Sequence, residues 1–569
     1  MSVIGLKKAN CKNCYKCLKV CPVKSIRVVN EQAQIIDDDC LLCGTCLAHC
    51  PQNAKTLTSS LDQVKEMLAS GEKVAVSLAP SFLGSFSLEK PGQMAAALKK
   101  LGFCAVSETA QGAAYVTAQY HDLMVENKMK NIITTCCPSI NRLIELYHPE
   151  VVEYMAPVVS PMIASARLIK QALGKGVKVV FVGPCIAKID EAADIRHDTD
   201  VDAVLTFEDI EQWFREEGIV PGQCEDASFL NASSKILRMY PVTSGILESL
   251  KARGDCNNYR MITVDGIQEC IALFSSMAKG ELDHCFVEVN ACKGGCVNGP
   301  AKTKGEETRF RAALDVENYA REDAGDYPAV DEEIPMGKRF FDRSRHEKLP
   351  DEDTIRSILA KIGKESPEQE LNCGACGYNS CREKAIAVYL NKAELTMCVP
   401  YMKERAESLS NYVLSETPNI TIMVDDEMNI IEFNKAAEEC FKISRREALE
   451  KGLFELIDSS DFQFVLETKQ PITNKKVHYK EYGITTEQSI IYIDKQNIVM
   501  GIFKDITKEE REQENLYDLR VETMEMAQKV IDKQMVAAQQ IASLLGETTA
   551  ETKVTLTKLK NMIVFDGDE

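Results

Sequence analysis

Residues 131–140 read NIITTCCPSI, and two cysteines, Cys136 and Cys137, stand side by side directly after an apolar run. Successive side chains on an extended segment point to opposite faces, so one metal site cannot easily take both thiols, and the pair implies two different jobs. The run before them reads as a buried strand, and others like it lie on both sides. From residue 58 to about 300, VAVSLAP (74–80), KNIITT (130–135), VKVVFVG (177–183), DAVLTF (202–207) and HCFVEV (284–289) alternate with amphipathic stretches such as GQMAAALKKLG (92–102) and PMIASARLIKQALG (161–174). That alternation predicts a parallel or mixed α/β sheet, whose chemistry collects at strand ends. Cys137, Cys185, Cys292 and Cys296 follow three of these strands.

With 569 residues the chain exceeds one core and is expected to form several domains. Its 23 cysteines fall mostly in tight groups, which suits metal thiolates better than a disulfide framework. The opening MSVIGLKKANCKNC has no apolar core of a secretory signal, and no apolar run approaches the roughly 18 residues of a membrane span. A reduced, cytoplasmic protein with no membrane partner is expected. A net charge of −19 argues against nucleic acid, because phosphate binding needs clustered Lys and Arg; simple solubility explains that charge equally well.

The head of the chain carries Cys11-x2-Cys14-x2-Cys17-x3-Cys21-Pro22 and repeats it as Cys40-x2-Cys43-x2-Cys46-x3-Cys50-Pro51. This is the bacterial ferredoxin run, in which three close thiolates hold three corners of a cubane and the fourth cysteine crosses to the other cluster. The expected ligand sets are Cys11, Cys14, Cys17 and Cys50 for one 4Fe-4S cluster, and Cys40, Cys43, Cys46 and Cys21 for the other. A zinc knuckle is the alternative, but it gives no reason for a doubled four-cysteine run ending in proline. Two adjacent clusters make an electron relay.

Three further stretches, TTCCPS (134–139), GPCIAK (183–188) and EVNACKGGC (288–296), place single thiols at separate points of the α/β region. Converging soft thiolates suit a cluster rather than a hard cation, and the pair Gly294–Gly295 allows close backbone approach to a bulky group. Together with the head, these motifs resemble the iron-iron hydrogenases, whose motifs read T-S-C-C-P, M-P-C-x-x-K and E-x-M-A-C-x-G-G-C; the likeness runs from residue 1 to about 345. The resemblance implies that Cys137, Cys185, Cys292 and Cys296 hold the cubane of an H-cluster, with Cys296 bridging to a diiron subsite carrying CO, cyanide and azadithiolate. It implies that Lys188 and Ser81 contact the two cyanides. It implies that Cys136 exchanges a proton with the bridgehead amine during reversible, heterolytic H2 cleavage. A thiol suits that task because its reference pKa of about 8.5 is within reach of neutrality; the alternative for Cys136 is a buried small hydrophobe.

The chain departs from the family pattern in several places. Gly183 and Asn290 replace motif methionines and Ile140 replaces a tryptophan, so a more polar pocket is expected. The glutamates and serine of the family's proton path are absent: AAYVTAQYHDLM stands at 113–124 and Ala156 at the serine position. Slow turnover, or another proton route, is the expectation.

Cys373-x2-Cys376-x4-Cys381, with Cys398 beyond, resembles a single 4Fe-4S domain, zinc being the alternative. Residues 410–507 give strand, turn, strand, short helix and, at the end, two strands, an order that resembles a PAS domain. No PAS ligand is assigned; neither Cys440 nor His478 has the surroundings of a flavin or haem site. Cys104, Cys224, Cys256, Cys270 and Cys285 lack regular spacing and read as core or surface residues. Beyond residue 508, Met524, Ala527, Ile531, Gln534, Ala538, Ile541 and Leu545 step by three and four, which predicts either a dimerising coiled coil or a helix packed on the PAS domain; a second helix is expected over 547–563.

The expected architecture is multidomain α/β and α+β: a ferredoxin-like 2x4Fe-4S head (1–57), an α/β H-cluster domain with a wrapping segment (58–345), a small 4Fe-4S module (351–405), a PAS domain (410–507) and a helical coiled-coil segment (508–569). This domain order resembles the sensory branch of the family. The expected function is a slow hydrogenase that senses H2 or redox state, with a soluble carrier such as ferredoxin as redox partner, a kinase or phosphatase as signalling partner, and a homodimer as assembly. A metabolic ferredoxin-linked hydrogenase and a non-enzymatic hydrogenase-like iron-sulfur scaffold are the alternatives.

Overall fold

The computed structural model describes residues 2–197, 199–231, 235–254, 259–303, 308–321, 330, 333–345, 347–545 and 553–558. They form two compact units, Met1–Tyr401 and Met402–Glu569.

In the first unit the head is built on four short strands, β1 (Ile4–Leu6), β2 (Ile26–Val29), β3 (Gln32–Ile35) and β4 (Lys55–Leu57), paired antiparallel as β1 with β4 and β2 with β3. The β2–β3 hairpin turns on Asn30 and Glu31, both at positive φ (50° and 57°), the geometry that favours Asn in a two-residue loop. The cysteine runs lie between these pairs, and Leu18, Ile26 and Val28 form a small apolar core with Cys17, Cys21, Cys40 and Cys46.

The α/β region holds two parallel sheets. Strands β5 (Val74–Leu78), β6 (Ala105–Glu108), β8 (Lys178–Gly183) and β9 (Ala203–Thr206) run in the order β6-β5-β8-β9. Strands β7 (Ile132–Ile133), β10 (Arg260–Asp265) and β11 (Cys285–Asn290) run β10-β11-β7. Every residue of β5, β6, β9 and β11 is buried, the near-continuous apolar pattern of strands covered on both faces. All five strand-like stretches named above are strands. β6 and β10 lie outside those stretches; β6 is a four-residue AVSE whose Glu108 is buried against Arg238 and Tyr319, a pairing no local pattern shows.

Residues 333–345 run along this domain, with Val159 N–H bonded to Met336 O at 2.9 Å, Lys338 N–H to Pro157 O at 3.0 Å and Arg343 N–H to Glu145 O at 2.8 Å. Before residue 333 the expected wrapping segment contains the helix Arg309–Arg321, while 304–307, 322–329 and 331–332, like Cys256, lie outside the described residues. The following cysteine module packs the helices Glu352–Ala360 and Cys381–Tyr389 around Ile355, Ile358, Leu359 and Ala385.

The second unit contains an antiparallel sheet of β12 (Ile420–Val424), β13 (Ile430–Phe433), β14 (Ile472–Tyr479), β15 (Ile484–Ile493) and β16 (Ile498–Asp505), ordered β13-β12-β16-β15-β14. The C-terminal part thus has three strands where two were expected; β14 is an edge strand rich in exposed polar residues, which hides its alternation. Cys440 is half-buried on the helix Lys435–Phe441, and exposed His478 meets Thr485 Oγ1 at 3.0 Å. The helix Thr507–Leu545 extends over 39 residues. Met524, Ala527, Ile531 and Ala538 on it are half-exposed and Ile541 is 57 % exposed, so the seam is not buried within this unit. Of the second expected helix, residues 553–558 are helical and the remainder lies outside the described residues.

Candidate active site

The strand ends of β5, β7, β8 and β11 deliver the central motifs. Pro138 at the first position of the helix Pro138–Tyr147 makes Cys137 its extended N-cap (φ −95°, ψ 106°), which separates the directions of Cys136 and Cys137. A cavity of about 100 Å³ is lined by Cys136, Cys137, Cys185 and Cys296 together with Ser81 and Lys188. Cys292 does not line this cavity; it lines a separate cleft of about 370 Å³ together with Cys43 of the head. Burial raises the Cys292 thiol, and Cys296, Cys185, Cys137 and Cys43 push it further up. Gly295, at φ +87°, has room for no side chain: a Cβ would stand 2.4 Å from Pro241 O. Among the described residues no group of three or more His, Cys, Asp or Glu side chains is placed to hold a single metal ion.

Cys136 faces a residue that sequence reading passed over. The Tyr120 hydroxyl, fully buried, lies 3.2 Å from Cys136 Sγ and accepts the Thr135 N–H at 2.9 Å. Thr135 Oγ1 donates in turn to Ala156 O at 3.1 Å and Val158 O at 3.0 Å. Burial pushes the Cys136 thiol up to about 12, against the lowering contact of Tyr120 and the charge of Lys188. The reference value near neutrality does not apply here, and the free thiol is held protonated.

Lys188, on the helix Ala187–Ala192, places its ammonium 2.6 Å from Glu191 Oε2 and donates to Cys136 O at 3.3 Å. Burial works against its charge, but Glu191 and the Cys185 and Cys136 thiols hold its pKa above the ordinary value. Glu191 also accepts from Ser160 Oγ at 3.1 Å and stands 3.6 Å from Lys338 Nζ, which donates to His197 Nε2 at 3.0 Å. Burial would raise Glu191; the Lys188 and Lys338 ammoniums hold it below the usual carboxylate range. Glu191 follows Lys188 by three helical positions, a spacing legible in the sequence, whereas nothing local announces Tyr120, Lys338 or His197.

The expectation of a more polar pocket is corrected. A Cβ on Gly183 would meet the Phe181 ring at 2.7 Å, so an aromatic ring occupies the space beside it, and Asn290 turns its amide to Glu288 Oε1 at 3.3 Å. Phe181, Met162 and Ile246 leave the walls largely apolar. Burial lifts Glu288 to about 7 despite backbone N–H donors from Leu247 and Ile246.

The residues present fit an iron-sulfur group. The donors are soft thiols, the glycine pair opens the backbone, and Ser81 Oγ is a buried hydroxyl on the cavity wall with no protein partner. In the head, burial raises Cys46, with Cys43, Cys40 and Cys21 adding to it, while Cys11 and Cys14 act on Cys17. The thiols of Cys373, Cys376, Cys381 and Cys398 line one cavity with Lys384. Lys384 is 1 % exposed and donates to Leu395 O at 3.1 Å, and its ammonium faces thiols able to compensate its charge as thiolates.

Residues 72–300 match the family model described as iron only hydrogenase large subunit, C-terminal domain. Residues 4–51 match a 4Fe-4S dicluster domain, 369–400 a putative Fe-S cluster and 411–500 the PAS fold. Iron hydrogenase 1 of Clostridium pasteurianum is 26% identical over 381 residues, covering 49% of this chain and 66% of that protein. The cytosolic Fe-S cluster assembly factor NAR1 of Yarrowia lipolytica is 26% identical over 219 residues, 33% of this chain and 45% of its own. The chain thus spans under two thirds of the length of these curated relatives. Among solved structures, the apo [FeFe]-hydrogenase HydA1 of Chlamydomonas reinhardtii overlays on 51% of this chain and 100% of its own, at a TM-score of 0.42 and 16% identity. The chain carries, in order, a 4Fe-4S dicluster domain, the C-terminal domain of an iron-only hydrogenase and a PAS domain.

Proposed function

We propose that this protein is an iron-iron hydrogenase of low turnover that reports H2 or redox state through its PAS domain and long helix. The observation that carries the reading is the gathering of Cys136, Cys137, Cys185 and Cys296 from three strand ends around one cavity, with Lys188 and the unpartnered Ser81 hydroxyl on its wall. Cys137, Cys185, Cys292 and Cys296 would hold the H-cluster cubane. When bound, the H-cluster supplies the site that takes dihydrogen and the amine that first receives its proton.

The remaining work belongs to the chain. With the H-cluster in place, Cys136 would be the group that exchanges a proton with it, handing on the thiol proton it already holds as another arrives, and the Tyr120 hydroxyl beside Sγ would orient that thiol. Lys188, held by Glu191, would offer its positive charge to the anionic ligands of the bound group, and the unpartnered Ser81 hydroxyl would be free to donate a hydrogen bond to it. Apolar walls exclude water, which strengthens each of these contacts. Beyond Thr135 the hydroxyl chain ends on backbone carbonyls rather than on an acid, which supports slow proton exit along this side.

Electrons leave through the head, whose two 4Fe-4S clusters would be held by Cys11, Cys14, Cys17 and Cys50, and by Cys40, Cys43, Cys46 and Cys21. A third cluster would sit on Cys373, Cys376, Cys381 and Cys398. The partners follow: a soluble carrier such as ferredoxin, a kinase or phosphatase for output, and a second copy of the chain along the uncovered helix seam. Cysteines used as cluster thiolates would suit a reducing, cytoplasmic location, and among the described residues no helix is long and apolar enough to cross a membrane.

Infrared spectra of anaerobically matured protein, under dihydrogen and then inert gas, test this reading. CO and cyanide bands that change between the two gases are expected. Protein loaded with 4Fe-4S clusters but lacking those bands overturns it and leaves the scaffold reading, which the similarity to the NAR1 assembly factor favours.

A further inference from the structure

The third cysteine module does not hang from the chain as a separate linker domain. It belongs to the same compact unit as the head and is joined to it by a built seam. Lys24 spends its ammonium on three backbone carbonyls, donating to Leu18 O at 3.2 Å and Lys19 O at 3.2 Å in the head and to Gly377 O at 2.9 Å in the module. Gly377 lies at φ +92°, and a Cβ there would stand 3.0 Å from Leu18 Cγ, so glycine suits both the left-handed backbone and the close packing against the Leu18 side chain. Tyr378, 4 % exposed, packs in the head's own core, where Cys376 and Cys21 both act on its hydroxyl.

Leu18 lies between Cys17 and Cys21, and Gly377 directly follows Cys376. Two Cα–Cα steps and one side-chain contact put Cys17 and Cys376 within about 14 Å of each other. Two further bonds lock the seam: Val28 N–H to Lys392 O at 3.0 Å and Asn30 N–H to Glu394 Oε1 at 2.9 Å.

We propose that the module's cluster exchanges electrons directly with the head across the Leu18–Gly377 contact, so that it is a terminus of the relay rather than an isolated reporter. The inference rests on the cysteine assignments proposed above. In each step one reduced 4Fe-4S cluster gives up one electron and is oxidised, and the cluster across the seam takes that electron and is reduced. No proton and no further reactant is required. The module meets the head at the short helix Lys16–Val20, whose cysteines Cys17 and, just beyond its end, Cys21 would serve different clusters, so it reaches the relay where the two head clusters share a backbone. The Lys24 ammonium, bonded to Leu18 O on the head side and Gly377 O on the module side, would stabilise the reduced, more negative state of a cluster on either side.

The test uses the full chain, reduced anaerobically with dithionite so that it is independent of H2 chemistry. Besides any signal from the cubane of the central site, wild type should show electron paramagnetic resonance signals of three reduced 4Fe-4S clusters, with magnetic coupling between the module's cluster and the head. Gly377→Val, which forces Leu18 away, should keep the iron content and lose the coupling. Lys24→Met, a milder change, should keep all three clusters and move the midpoint potentials of the module and of a head cluster to more negative values together. Three clusters with coupling and potentials unaltered in both variants overturn the inference alone. A wild type with only the two head clusters overturns the third-cluster assignment and this inference with it, and CO and cyanide bands remain the separate measure of the hydrogenase reading.

Discussion

Arg142 donates from Nε to the Cys40 carbonyl at 2.8 Å, joining the helix capped by Cys137 to a cysteine loop of the head. The same guanidinium reaches Asp37 O at 2.9 Å and Asp190 Oδ2 at 2.8 Å. Arg142 is buried, so its fork sets the spacing of two candidate cluster sites with little freedom.

Replacing Arg142 with Met should lower stability by about 3–5 kcal/mol, because two carbonyls and a carboxylate lose a charged donor. Arg142→Lys should recover only part, lacking the planar fork. Denaturant unfolding, followed together with iron release, measures both; a loss below about 1 kcal/mol would show that the fork does not hold the head.

Cys136→Ala should reduce H2 turnover by about 10²-fold or more while leaving the CO and cyanide bands in place. Tyr120→Phe should cause a smaller loss of turnover, together with destabilisation of about 1–3 kcal/mol from the unsatisfied Thr135 N–H. Equal turnover in wild type and Cys136→Ala would remove Cys136 from the proton path.

His197 carries the clearest pH signature outside the cluster ligands. Burial, then the Lys338 ammonium, lowers its pKa to about 4, with Arg167 acting in the same direction and Glu191 and Asp194 opposing. The unfolded chain takes up a proton below about 6.5 and the folded chain does not, so stability should fall as pH drops from about 6.5 to about 4, by up to about 3 kcal/mol. His197→Asn should flatten that slope in urea titrations at stepped pH; an unchanged slope would assign the acid sensitivity elsewhere.

Cys376→Ala should delete one reduced-cluster signal and leave the head signals intact. Lys384→Met removes the buried ammonium beside the module's thiols and should shift that cluster's potential negative, since the reduced state loses its counter-charge. A Cys376→Ala spectrum identical to wild type would reject a cluster at this position.

On the long helix, the double variant Ile531→Glu with Ile541→Glu should convert a dimer to monomer in sedimentation experiments without altering iron content. Both residues lie on the three- and four-residue steps, and neither is buried within its own unit. A monomeric wild type, or a double variant that stays dimeric, would show that this seam is not the contact.

The sequence by itself determined the parts whose information is local. Spacing within one turn of chain defines the doubled cysteine run of the head and the Cys373–Cys381 group, and alternation of apolar stretches defines the strands that end at Cys137, Cys185 and Cys292. These signals need only neighbours a few positions away, so they survive without the fold. Tertiary structure alone decided what surrounds those thiols. Tyr120 comes to Cys136 from a helix 16 residues earlier, Lys338 to Glu191 from 147 residues later, and Gly377 to Leu18 across 359 residues of chain. Phe181 filling the space beside Gly183 reversed the expected polarity of the pocket, and burial carried the Cys136 thiol far from its solution value. Such contacts arise from sheet order and close packing, which bring together residues that no periodicity links, and burial then shifts their charges by amounts that composition cannot express.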